Sequence, residues 1–348
     1  MFSDLDQQLA TTLRHRAGGD IDPTQIVEQA RHRGRRLRRR RRGFVAGGVA
    51  AVCVALTSVV LAIPGGRTSD DLRMPAAALM LPEAPTQAGA IARPEVVGAD
   101  PAVVHFSADS LLRDADSVTW RAGRGTESIE FRGPSGQARF VLTREHATLD
   151  ALQQTLSSEG RPQGGTHVRV GDRPAVAWFD PSGDRKLWFV RWEPADGLWA
   201  QWESYAETVE QATATASRVE LDRAHRCVVP FRLESLLPDG RVLECSVTLG
   251  RSARDPFVEG ALVVGDTTGR WLTVRAQPAP GGRAPSGDLV AGPYRARRQG
   301  SDVLEMTVKP FAVEAFRKGW GNGYTEAEGL AILGGYRPAR DPDRPESW

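Results

Sequence analysis

One stretch of the chain runs for 21 residues without a charge, Gly43 to Ile63, and the hydrophobic positions differ in kind on its two sides. As a helix this stretch is about 30 Å long, one hydrocarbon core, and it is apolar all round, which predicts a transmembrane helix over 43–63. Pro64-Gly65-Gly66 ends it. Upstream the spacing is helical. Leu5, Leu9 and Leu13 repeat at i, i+4 and i+8 behind a candidate N-cap, Ser3. After Gly18-Gly19, Asp22-Pro23 marks a second start, with Ile26, Val27 and Ala30 on one face. Downstream, residues 64–100 are rich in Pro and Ala and predict a spacer. Beyond them come short aromatic and β-branched runs such as Leu187-Trp188-Phe189-Val190-Arg191-Trp192, which suit strands.

The downstream part repeats itself. Val104-His105-Phe106, Ser110-Leu111-Leu112 and Asp114 match Val229-Pro230-Phe231, Ser235-Leu236-Leu237 and Asp239 at a constant offset of 125. In each unit a Gly/Pro turn (Gly171 to Pro174; Gly292-Pro293) precedes strands, and a helix follows, Thr208 to Arg218 and Thr325 to Leu333. Strand runs closed by helices predict an α+β class: two tandem sheet-plus-helix units, residues 101–226 and 227–342, with 343–348 as a tail.

Charge orients this layout. Residues 1–42 carry a net +6, residues 67–348 a net −4. Seven arginines (Arg35, Arg36 and Arg38 to Arg42) stand directly before the span, which predicts an N-terminus in the cytoplasm and residues beyond 63 outside the cell membrane. The same cations suit anionic headgroups, and without interleaved aromatics they do not favour nucleic acid. A cleaved export signal, with a small-residue site at Val60 and Ala62, stays open as an alternative. Gly43, Gly47, Ala51 and Ala55 form a small-residue face fit for a homodimer through the span, or reflect Gly/Ala richness alone. About 40 residues bury little core by themselves, so Leu5, Leu9, Leu13, Ile26 and Val27 are candidate contacts for a partner.

The run Val170-Gly171-Asp172-Arg173-Pro174-Ala175, the Trp188 to Trp192 strand and the Glu207 to Val219 helix resemble small extracytoplasmic α+β domains of Gram-positive bacterial regulators and lipoproteins. The overall layout is similar to single-pass anti-sigma factors, although residues 1–42 lack the His/Cys zinc signature of one such group. The resemblance implies an extracytoplasmic sensing or binding region on a membrane-anchored regulator of a cytoplasmic partner such as a sigma factor. Two alternatives stand beside it: an envelope binding module with no cytoplasmic partner, and an exported enzyme.

Candidate chemistry is sparse. Trp178, Trp188, Trp192, Trp199 and Trp202 fall within 25 residues and would make a ligand platform, or fill a core. Cys227 and Cys245 face an oxidising compartment in this topology, where pairing is expected. The six histidines show no metal spacing, and no C-x-x-C, G-x-S-x-G or P-loop occurs, so neither an enzyme nor a cofactor is expected.

Overall fold

Strands with one apolar and one polar face need a layer over the apolar side, and here a single broad sheet is covered chiefly on that side. The computed structural model describes residues 79–134, 136–156, 165–180, 185–251, 256–279, 287–316, 323–342 and 344–348. The predicted span 43–63 and the candidate contacts Leu5, Leu9, Leu13, Ile26 and Val27 lie outside the described residues. Among those that are described, no helix is long and apolar enough to cross a membrane.

In chain order the first half holds β1 (Val103–Val104), β2 (Ser117–Gly123), β3 (Thr126–Gly133), β4 (Gly136–Thr143), α1 (His146–Leu156), β5 (Thr166–Val170), β6 (Arg173–Asp180), β7 (Leu187–Ala195), β8 (Leu198–Tyr205), α2 (Val209–Ala216) and β9 (His225–Arg226). The second holds β10 (Phe231–Leu233), β11 (Arg241–Arg251), β12 (Pro256–Gly265), β13 (Trp271–Pro278), β14 (Leu289–Ala291), β15 (Tyr294–Gln299), β16 (Val303–Val308), β17 (Phe311–Phe316), α3 (Glu326–Gly334) and β18 (Tyr336–Pro338).

Fourteen of these strands form one antiparallel sheet in the order β14-β15-β16-β17-β13-β12-β11-β2-β3-β4-β8-β7-β6-β5. Read outward from the centre, each half runs through its seven strands in the same sequence of steps. Each half also pairs a short strand before its sheet with one after its last helix, β1 with β9 and β10 with β18. The expectation of two tandem α+β units is corrected here. The halves share one sheet, because β2 and β11 pair directly from Ser117↔Gly250 to Gly123↔Glu244. The class is a broad antiparallel β-sheet with a few short helices. Alternation tells which face a residue takes, not which strand is its neighbour, so alternation by itself does not forecast this seam.

Turn chemistry sets the hairpins locally. Arg124 and Gly125 form the two-residue β2–β3 turn with φ of 55° and 80°, the left-handed pair that matches strand twist. Gly98 sits against this turn, accepting from the Gly125 N–H, and a Cβ there would lie 2.3 Å from the Gly125 carbonyl carbon.

The apolar face carries Val118, Trp120, Ile129, Phe140 and Leu142 in the first half and Val247, Leu249, Leu272, Val274 and Val313 in the second, all within one continuous core. Residues 79–100 belong to this core as well, which corrects the spacer expected there. Leu79, Leu81, Ala90 and Val97 are buried, and the Trp120 Nε1–H donates to the Leu79 carbonyl at 3.2 Å. A Pro-rich segment makes few strand ladders, yet its Leu, Val and Ala side chains still pack. Glu127 anchors it from inside: the carboxylate accepts from the Gly98 and His105 N–H groups at 2.9 and 2.6 Å and lies 2.6 Å from His105 Nδ1. Cys227, just after β9, and Cys245, on β11, are joined in a disulfide with Cα atoms 6.2 Å apart, tying the covering layer to the sheet.

Candidate functional site

The second face of the sheet is polar, and it is built by the other half of each strand's alternation. One row crosses eight strands through directly paired residues: Glu259, Thr248, Thr119, Glu130, Arg139, Glu203, Phe189 and Trp178. Paired side chains in such a row lie about 4.5–5.5 Å apart at Cβ, so charges along it meet their neighbours. Arg132 bonds Glu130 at 2.9 Å and Arg275 bonds Glu259 at 2.7 Å. Arg139 lies 3.6 Å from Glu203.

At the seam this face sinks into a depression of about 480 Å³ lined from five strands. Its floor is hydroxylic. Ser117 and Thr119 come from β2, Ser246 and Thr248 from β11, and the two threonine hydroxyls touch at 2.9 Å. The walls are Glu130 with Arg132 on one side and Glu259 with Arg275 on the other, joined by Arg121 and Phe257. The arrangement is nearly two-fold. Ser117-Val118-Thr119 and Ser246-Val247-Thr248 are the same tripeptide at the two sides of the seam. Thr119 pairs with Glu130 as Thr248 pairs with Glu259.

Away from the seam, α1 lies over part of the first half of this face. Arg191 holds it there, donating to Asp150 at 2.7 Å and to Gln201 at 2.7 Å. Beneath lies Glu203, nearly buried, whose carboxyl is pushed up by that burial; Arg139 and a hydrogen bond from Gln201 pull the other way and are outweighed. The Arg139 Nε and Nη2 groups and the Trp178 indole N–H are buried without a hydrogen-bond partner.

The five tryptophans do not form one platform. Trp188, Trp192 and Trp202 point into the apolar core, where Trp192 meets Phe140 and Trp202 meets Phe131. Trp178 and Trp199 lie half-buried on the polar face. Trp178 stacks on Phe189 beneath the Arg191 guanidinium, and Trp199 meets His146 edge-on at 4.7 Å. Trp202 also lines a second cavity, about 510 Å³, between α2 and the β3–β4 end. Among the described residues no group of His, Cys, Asp and Glu is placed to hold a metal ion.

The seam residues were missed in the sequence, although a signal was there. The tripeptide recurs at an offset of 129, four more than the offset of the Val-x-Phe match, so a search held to one offset passes over it.

Neither a family model nor a curated protein matches the chain. Among solved structures it is similar to the crystal structure of MucB in complex with MucA(peri), at 16% identity and a TM-score of 0.20, over 65% of this chain and 93% of that one. It is likewise similar to the complex structure of Pseudomonas aeruginosa MucA/MucB, at 17% identity and a TM-score of 0.21, over 66% of this chain and 95% of that one. At such TM-scores the superposition is poor, and the likeness is too slight to transfer a function.

Proposed function

We propose that this chain is a membrane-anchored envelope protein whose folded region is an extracytoplasmic sensing or binding module, coupled through residues 1–42 to a cytoplasmic regulatory partner. The observation that carries it is the Cys227–Cys245 disulfide in a region preceded by an uncharged 21-residue run and seven arginines. Disulfides persist in oxidising compartments, and the arginines direct the other end of the span inward, so the two features agree on one topology. The seam depression supports binding over a purely structural role, since it gathers polar groups from both halves and no described helix covers it.

Protease added to intact spheroplasts tests the topology. It should remove an epitope placed at Trp348 and spare one at Phe2; a protected Trp348 epitope would overturn the reading. Loss of a co-purifying cytoplasmic protein on deleting residues 1–42 would favour the regulator over a module anchored without a partner.

A further inference from the structure

The geometry points to the seam depression as a site for a neutral, hydroxyl-rich ligand, an oligosaccharide, held between the two halves of the sheet. This inference rests on the reading of the folded region as a binding module.

The lining decides the class by exclusion. A free anion finds one guanidinium beyond the two paired with Glu130 and Glu259, Arg121, and its charge already acts on the Glu244 carboxylate of the neighbouring strand. A free cation meets three guanidiniums, Arg121, Arg132 and Arg275. Two of those charges already neutralise the carboxylates, through Arg132–Glu130 and Arg275–Glu259 contacts of 2.9 and 2.7 Å. An apolar ligand would strip water from four hydroxyls and five charged groups whose bonds to one another leave many donors and acceptors unmet, which opposes its binding.

What the site offers is donors and acceptors side by side. Each ion pair leaves carboxylate lone pairs and guanidinium N–H groups free to serve one sugar hydroxyl as acceptor and donor together. The Ser and Thr hydroxyls of the floor act in either sense. Phe257 adds an apolar surface for the C–H face of a pyranose. A volume of about 480 Å³ lies within the usual range for small-ligand sites. Water competes for every one of these bonds, so affinity should be modest, with Kd on the order of 0.1–1 mM.

The test is a titration of the full-length protein with maltotetraose, cellotetraose, chitotetraose and mannotetraose, beside an acidic tetragalacturonate, read by ligand-observed saturation-transfer NMR. At least one neutral tetrasaccharide should saturate, and Thr119→Val with Thr248→Val should weaken it about tenfold or more. Glu259→Gln should weaken it as well, which covers the case of the double variant failing to fold. Arg297→Ala, on the same face but far along the sheet, should leave it unchanged. Failure of all four neutral sugars to saturate below about 10 mM would overturn the inference, as would binding untouched by the seam variants. Tetragalacturonate binding that is lost in the seam variants, with no neutral sugar bound, would overturn the neutral class while leaving the binding module standing. The spheroplast experiment reads the topology independently of every sugar result.

Discussion

Removing the Phe106 ring should unfold the two halves together, at one lowered temperature. Phe106 follows β1, is fully buried, and sets its ring edge-on to Phe140 at 4.9 Å and beside Trp120 at 5.8 Å. Truncating such a core ring to alanine costs about 3–5 kcal/mol through lost transfer energy and the cavity left behind. For a folded region of this size each kcal/mol moves the midpoint by roughly 2–4 °C, so a fall on the order of 10 °C is expected. The core is continuous from Leu79 to Tyr336, and the β2–β11 ladder places Val118 and Trp120 beside Val247 and Leu249 on its apolar side. Breaking one half therefore exposes the seam of the other. Differential scanning calorimetry of the full-length chain should show one transition whose calorimetric and van't Hoff enthalpies agree. Phe231→Ala, whose ring stacks on Tyr336 at 5.1 Å, should lower that same transition. Two transitions, only one of them moved by Phe106→Ala, would refute the coupling.

Reducing the disulfide should cost roughly 3 kcal/mol, because Cys227 and Cys245 close a loop with a sequence separation of 18; urea unfolding with and without reductant measures it, and equal midpoints would count against it. Glu203→Gln should raise stability at pH 7.5 and lose that gain at acid pH. Burial holds the folded Glu203 pKa above its unfolded value, so ionisation opposes folding: the cost is absent below the carboxylate range and grows as pH rises through the folded pKa. Urea titrations of both proteins at pH 3.5 and 7.5 check this, and a stability difference equal at the two pH values would sink it.

Much of the local structure was legible. Thr208 and Thr325 stand at the starts of α2 and α3 because a Thr hydroxyl accepts from the third residue of the helix, and Thr325 completes a capping box with Glu328. The strand Leu187 to Trp192 reads directly from its composition. The helix α1 gave no comparable signal: its His-Ala-Thr-Leu start has no strong apolar stripe, and Arg191, far along the chain, holds it in place. The tryptophan platform failed on parity. Trp188 and Trp192 share a face of β7, whereas Trp199 and Trp202, three apart on β8, must point to opposite faces. Closeness in sequence does not put side chains on one surface where a strand's period of two sends them to opposite faces.

The seam joins these lessons to function. Each half alone presents a Ser-Val-Thr edge strand, with valine inward and hydroxyls outward, and with unpaired backbone groups open to pairing. Antiparallel union of two such edges satisfies both backbones at once. It also sets Val118 and Val247 into one core, and brings Thr119 against Thr248 on the opposite face. The depression is a consequence of that union: half its floor and one of its Arg–Glu walls come from each side. Neither half could form the site by itself. A substitution that weakens the seam, such as Val247→Ala, should thus act on stability and on ligand affinity together, whereas Thr248→Val should act on affinity with little change in stability.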